Sequence, residues 1–111
     1  MPQIGKDTDL QSLLRQDLLV VFKHSTACPV SWAAHAQVNR FRLKNPCVQV
    51  QMLLVIQDRP VSQKLAALTG IRHESPQVIF VRNGEVTADL SHGEITEARL
   101  TELVGATSVG Q

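Results

Sequence analysis

The chain has little of what most specialised protein classes are built from. It carries two cysteines in 111 residues, too few for the disulfide framework of a small secreted scaffold. Its longest apolar runs, Leu18–Phe22 and Met52–Ile56, fall far short of the roughly 20 residues that a helical membrane span needs. Residues 1–10 contain no apolar core, so no secretory leader is expected. Neither charge is in excess: 11 Lys+Arg against 10 Asp+Glu give a net charge of +1. Without basic clusters, that balance argues against nucleic acid as a partner. No internal repeat, low-complexity run or linker interrupts the chain.

What remains is an ordinary globular mix, 43% hydrophobic and 19% charged, which excludes disorder, collagen and coiled coil. The length fits one domain. The expectation is a monomeric cytoplasmic protein with no membrane partner. Its core spans about residues 7–104, with a frayed tail over 105–111.

Periodicity divides the chain into eight elements. Asp7 or Thr8 can cap a helix running to about Gln16, with Leu10, Leu13 and Leu14 on one face. Leu18–Lys23, a continuous apolar run ending in a charge, and Val48–Ile56, a second apolar, β-branched stretch, read as strands. Between them a helix fits Pro29–Leu43, with Val30, Ala34, Val38 and Phe41 facing the core and Asn45–Pro46 ending it. Pro60 opens a further helix that Gly70 closes. Asn83–Gly84 joins the runs Val78–Arg82 and Glu85–Leu90 as a hairpin, and Glu94–Val104 completes the chain as a helix. The order αβαβαββα predicts a thioredoxin-like α/β domain with a central mixed four-stranded sheet flanked by helices.

Chemistry concentrates at Cys28. It lies where a strand gives way to a helix whose first residue is Pro29, so its sulfur is expected to face unpaired backbone N–H groups and the positive end of the helix dipole. Both favour a thiolate. Lys23 and His24 stand close enough in sequence to add positive charge. The competing reading is a small core cysteine. Ser31 occupies the position three residues on, where a dithiol redox protein places its second thiol. A hydroxyl cannot form a disulfide, though it can donate a hydrogen bond to the thiolate. Cys47 lies beyond the far end of the helix, outside the reach of a disulfide, and reads as structural. Resolution of Cys28 therefore falls to a thiol from outside the chain.

Ser75–Pro76 precedes a strand. Proline is tolerated at a strand's first residue; the sharper reading is a cis bond facing the thiol, leaving the Ser75 backbone to pair with an extended substrate. Trp32, one turn after Cys28, is either an apolar wall beside the sulfur or ordinary packing. His35 is too far along the helix to serve as a base. His73 lies near enough to Pro76 to reach the site, and His92 falls in a loop. No histidine pair has zinc-finger spacing, and no metal site is expected. Ala34, six residues after Cys28, stands where an arginine-dependent phosphatase or arsenate-reductase loop needs its arginine.

Lys23–Ser31, Arg59–Ser62, His73–Val78, Asn83–Val86 and Ser91–Thr96 together resemble the YtxJ family of monothiol bacilliredoxins across about Asp7 to Val104. That resemblance implies a thioredoxin fold and thiol–disulfide exchange with bacillithiol as co-substrate and no bound cofactor. The partners would be bacillithiol-modified client proteins and a low-molecular-weight thiol. Carried onto this chain, Cys28 is the nucleophile, Ser31 replaces a resolving cysteine and Pro76 is a cis-proline. Lys23, His24, Thr26, Pro29, Trp32 and Ser75 are expected to meet substrate, and Lys23, Arg59 or Arg72 to meet the carboxylates of bacillithiol. The stretch Val86–Leu90 departs from the aromatic character of that strand in relatives. Two alternatives stay open: a glutaredoxin-like monothiol protein using glutathione or carrying an iron–sulfur cluster, and a non-catalytic thioredoxin-fold binding module.

Overall fold

In the computed structural model, described over the backbone of residues 1–109 and the side chains of residues 1–105, the elements run β1 (Gln3–Ile4), α1 (Leu10–Leu14), β2 (Leu19–His24), α2 (Pro29–Lys44), β3 (Gln49–Leu54), α3 (Arg59–Thr69), β4 (Gln77–Arg82), β5 (Glu85–Ser91), a 3₁₀ turn (His92–Glu94) and α4 (Glu97–Val109). The strands form one mixed sheet in the order β1-β3-β2-β4-β5. β2 lies at its centre, parallel to β3 and antiparallel to β4. All six residues of β2 are buried, as expected of a strand covered on both faces.

The alternation of β2 builds the two halves of the core. Val20 and Phe22 pack with Ala34, Val38 and Phe41 of α2 and Leu100 of α4. Leu19 and Val21 face the other way, into Leu10, Leu13 and Leu14 of α1 and Leu65 of α3. Each such side chain contributes roughly 1.5–3 kcal/mol through burial, which fixes α2 on one face and α3 on the other. Turn chemistry sets the ends. Asn83 and Gly84 both have positive φ, 51° and 85°, as a two-residue hairpin turn requires. Gly70 closes α3 at φ 71°, its N–H donating to the Ala66 carbonyl at 2.9 Å.

The sheet has five strands rather than four. β1 adds a parallel edge, pairing Gln3 with Met52 and Ile4 with Leu53; two residues are too short to carry a periodic pattern. In α2 the buried residues are Ser31, Ala34, Val38 and Phe41, while Val30 is 49% exposed. The inward stripe thus starts at Ser31, not Val30. β3 stops at Leu54 and residues 55–58 form a turn. The last helix is interrupted: Ile95 is extended (ψ 97°) and buried, separating the 3₁₀ turn from α4. Residues 105–109, expected as tail, fall within α4; residues 110–111 lie outside the described part.

Candidate active site

Cys28 is the N-cap of α2, with extended backbone (φ −118°, ψ 120°) and Pro29 behind it. Its carbonyl accepts from the N–H groups of Ser31 at 3.1 Å and Trp32 at 3.2 Å, which starts the helix. Its thiol makes no capping bond, and since Pro29 has no N–H, Val30 carries the one first-turn N–H not bonded to the Cys28 carbonyl. Cys28 is partly exposed and unpaired.

The loop before it is held from three sides. Oγ of Ser31 accepts from Ser25 N–H at 2.9 Å and lies 2.7 Å from Nδ1 of His24. Indole Nε1 of Trp32 donates to the Thr26 carbonyl at 2.9 Å. Gln57 Nε2 donates to Thr26 Oγ1 at 3.2 Å, a contact from the β3–α3 turn that the sequence reading missed. Trp32 is half exposed, at 50%, and packs edge-on against His24 at 4.5 Å between centroids. His35, one turn further, joins that ring cluster 5.1 Å from His24.

The Ser75–Pro76 bond is cis. β2 and β4 pair from Leu19 with Val81 to Lys23 with Gln77. Continuing that register by one step sets Pro76 beside His24, at the end of the sheet where the Cys28 loop departs. Oγ of Ser75 is buried without a hydrogen-bond partner.

Two residues expected to meet substrate, Lys23 and His24, lie inside the molecule. Lys23 is fully buried, at 0% exposure. Strand alternation puts it on the same face as Leu19 and Val21, and its Nζ meets Nδ1 of His73 at 3.1 Å. Burial lowers its pKa to about 8. His24 is 1% exposed, and burial and then the nearby His35 push its pKa below the usual histidine value. Both side chains are thus withdrawn from the surface at which they were expected to meet substrate. His73 touches Lys23 and lies 3.3 Å from Ser62 Oγ. The Ser31 hydroxyl, expected on the thiolate, is engaged with His24 and Ser25.

Cys47, read from the sequence as structural, is exposed. It follows the C-cap Asn45 of the 16-residue α2, about 24 Å of helix from Cys28. A cavity of about 330 Å³ opens near it, among Pro2, Arg42, Leu43 and Pro46, at the far end of the sheet. Among the described residues no group of three or more His, Cys, Asp or Glu side chains converges as a metal site, and no helix is long and apolar enough to cross a membrane.

A central mixed sheet, a cysteine at the N-cap of the following helix with no second cysteine in its first turn, and a cis-proline at the same end of the sheet define a thioredoxin-fold thiol–disulfide oxidoreductase of the monothiol kind. The chain matches the monothiol bacilliredoxin BrxC family over residues 3–100 and belongs to it. It is similar to a solved structure described as a candidate oxidoreductase with a thioredoxin fold, at 29% identity and TM-score 0.85, covering 93% of this chain and 92% of that one. Thioredoxin from Fasciola hepatica shares the fold at 19% identity and TM-score 0.75, over 96% and 99% of the two chains. So does a thioredoxin mutant from Halobacterium salinarum, at 18% identity and TM-score 0.74, over 96% and 88%.

Proposed function

We propose that Cys28 removes bacillithiol from protein mixed disulfides. The observation that carries this reading is a single accessible thiol at the N-cap of α2 with Ser31, not a cysteine, one turn behind it. The Cys28 thiolate attacks the bacillithiol sulfur of a client–S–S–bacillithiol bond. A new S–S bond forms between Cys28 and bacillithiol, the old one breaks, and the client leaves as a thiolate that takes up a proton. A second low-molecular-weight thiol then attacks the adduct, releasing Cys28 and leaving a small-molecule disulfide. Electrons balance at each exchange: one disulfide is consumed and one is made.

In this reading Ser31 is a positioning residue that holds the loop. Pro76 and the Ser75 backbone receive the client chain in extended form, and Thr26, Pro29 and Trp32 flank its approach. The reaction needs a reduced thiol pool, which suits the cytoplasm. No second subunit is needed, so a monomer suffices.

The test is exchange with a bacillithiol-modified client. Cys28→Ser abolishes release of the client thiol, and Cys47→Ser leaves the rate unchanged. Release that survives Cys28→Ser, or is lost with Cys47→Ser, overturns the assignment.

A further inference from the structure

Lys23 is a fully buried amine whose recorded side-chain partner is a histidine rather than a carboxylate. An ammonium only donates, so Nδ1 of His73 accepts from it and the ring proton sits on Nε2. Nε2 points away from Lys23 and meets no acceptor among the described residues. His73 is one wall of a cavity of about 260 Å³, whose other lining residues are Val55, Ile56, Arg59, Ser62 and Gln63. None of the six is acidic. The neighbouring acids are Asp58, at the N-cap of α3 with no side-chain capping bond, and Glu74, whose carboxylate lies 3.7 Å from His92 Nε2. The cavity thus offers a guanidinium, an imidazole N–H and an amide over an apolar floor, with the Ser62 hydroxyl donating to His73 Nδ1 and the Lys23 amine behind His73.

This cavity adjoins the thiol loop. Val55 N–H donates to the His24 carbonyl at 3.0 Å, and Gln57 bonds Thr26. On the opposite wall, His73 stands two residues before Ser75 and the cis bond. Bacillithiol carries its carboxylates on a malyl part remote from its sulfur. A carboxylate placed here makes charge-assisted hydrogen bonds and supplies the counter-charge that Lys23 lacks.

We propose that the cavity bounded by Arg59, Ser62 and His73 receives the carboxylate end of bacillithiol while its sulfur is exchanged at Cys28. The proposal rests on Cys28 being the exchanging thiol. Of the three cations named from sequence for this role, it selects Arg59, with Lys23 acting through His73 and Arg72 outside the lining.

The test compares adduct formation on the reduced full-length protein with two probes, the symmetrical disulfide of bacillithiol and the uncharged 2-hydroxyethyl disulfide. Arg59→Gln slows the bacillithiol reaction about fivefold, less so at high salt, and leaves the hydroxyethyl reaction unchanged. Lys64→Gln, the same charge loss on an exposed position of α3 outside the cavity, changes neither. Equal losses in the two variants, or equal losses on both probes in Arg59→Gln, overturn the subsite. If wild-type Cys28 reacts with neither probe, the assignment of the thiol itself fails, and the subsite with it.

Discussion

Nδ1 of His24 lies 2.7 Å from Oγ of Ser31, buried inside the molecule. The same oxygen accepts from Ser25 N–H at 2.9 Å. One hydroxyl therefore ties the last residue of β2 and the first residue of the loop to the first turn of α2. Where a dithiol protein would keep its second sulfur, this chain keeps a structural pin.

Removing the pin has a stability signature. Ser31→Ala leaves a buried ring nitrogen and a backbone N–H without their partner, at an expected cost of about 1–3 kcal/mol, read as a lower urea midpoint. An unchanged midpoint contradicts the anchoring role. Ser31→Cys places a thiol one turn from Cys28, and mild oxidation should give a product lighter by two hydrogens.

Acid should destabilise the fold through its histidines. His24, His35 and His73 all have pKa values lowered first by burial. Below about pH 6.5 the unfolded chain takes up protons that the folded chain resists. Stability is therefore lost as pH falls from 6.5 toward the lowered folded values, and regained as it rises. Urea midpoints across pH 5–7 should show this slope, weakened in His24→Gln.

Lys23 produces a second slope at alkaline pH. Its folded pKa is about 8 against an ordinary 10.5. Between those values the unfolded chain holds a proton that the folded chain has released, so stability rises with pH across that window. Lys23→Met should flatten the rise. The chain contains no tyrosine to titrate in the same range. A rise of equal size in the variant contradicts the buried amine.

Trp32 is the chain's one tryptophan, four positions after Cys28 and bonded to the Thr26 carbonyl. Forming a disulfide adduct on Cys28 should change its emission, whereas alkylating Cys47 at the far end of α2 should not. Trp32→Phe, at a half-exposed position, should cost under about 1 kcal/mol of stability while slowing exchange.

The elements around the thiol were legible because each carries a local physical signal. A five-residue apolar run before the loop demands burial, Pro29 fits only the first turn, and Asn83–Gly84 supplies two positive φ angles. β1 has no such signal; it forms because β3 offers an unpaired edge. Lys23 and His24 were misplaced by proximity in sequence. Alternation from Leu19 and Val21, and from Val20 and Phe22, already assigned both to buried faces. Arg59, Ser62 and Gln63 share one face of α3 at i, i+3, i+4 spacing, but their convergence with His73 depends on a chain crossing that only the fold provides.

The central claim is that one thiol does the exchange. Reduced protein is mixed with a client bearing one bacillithiol, quenched and read by intact-mass spectrometry, with the adduct located by digestion. The account predicts one bacillithiol on Cys28, none on Cys47, and the client returned as a free thiol. An adduct on Cys47, or no adduct with the client still modified, would contradict it.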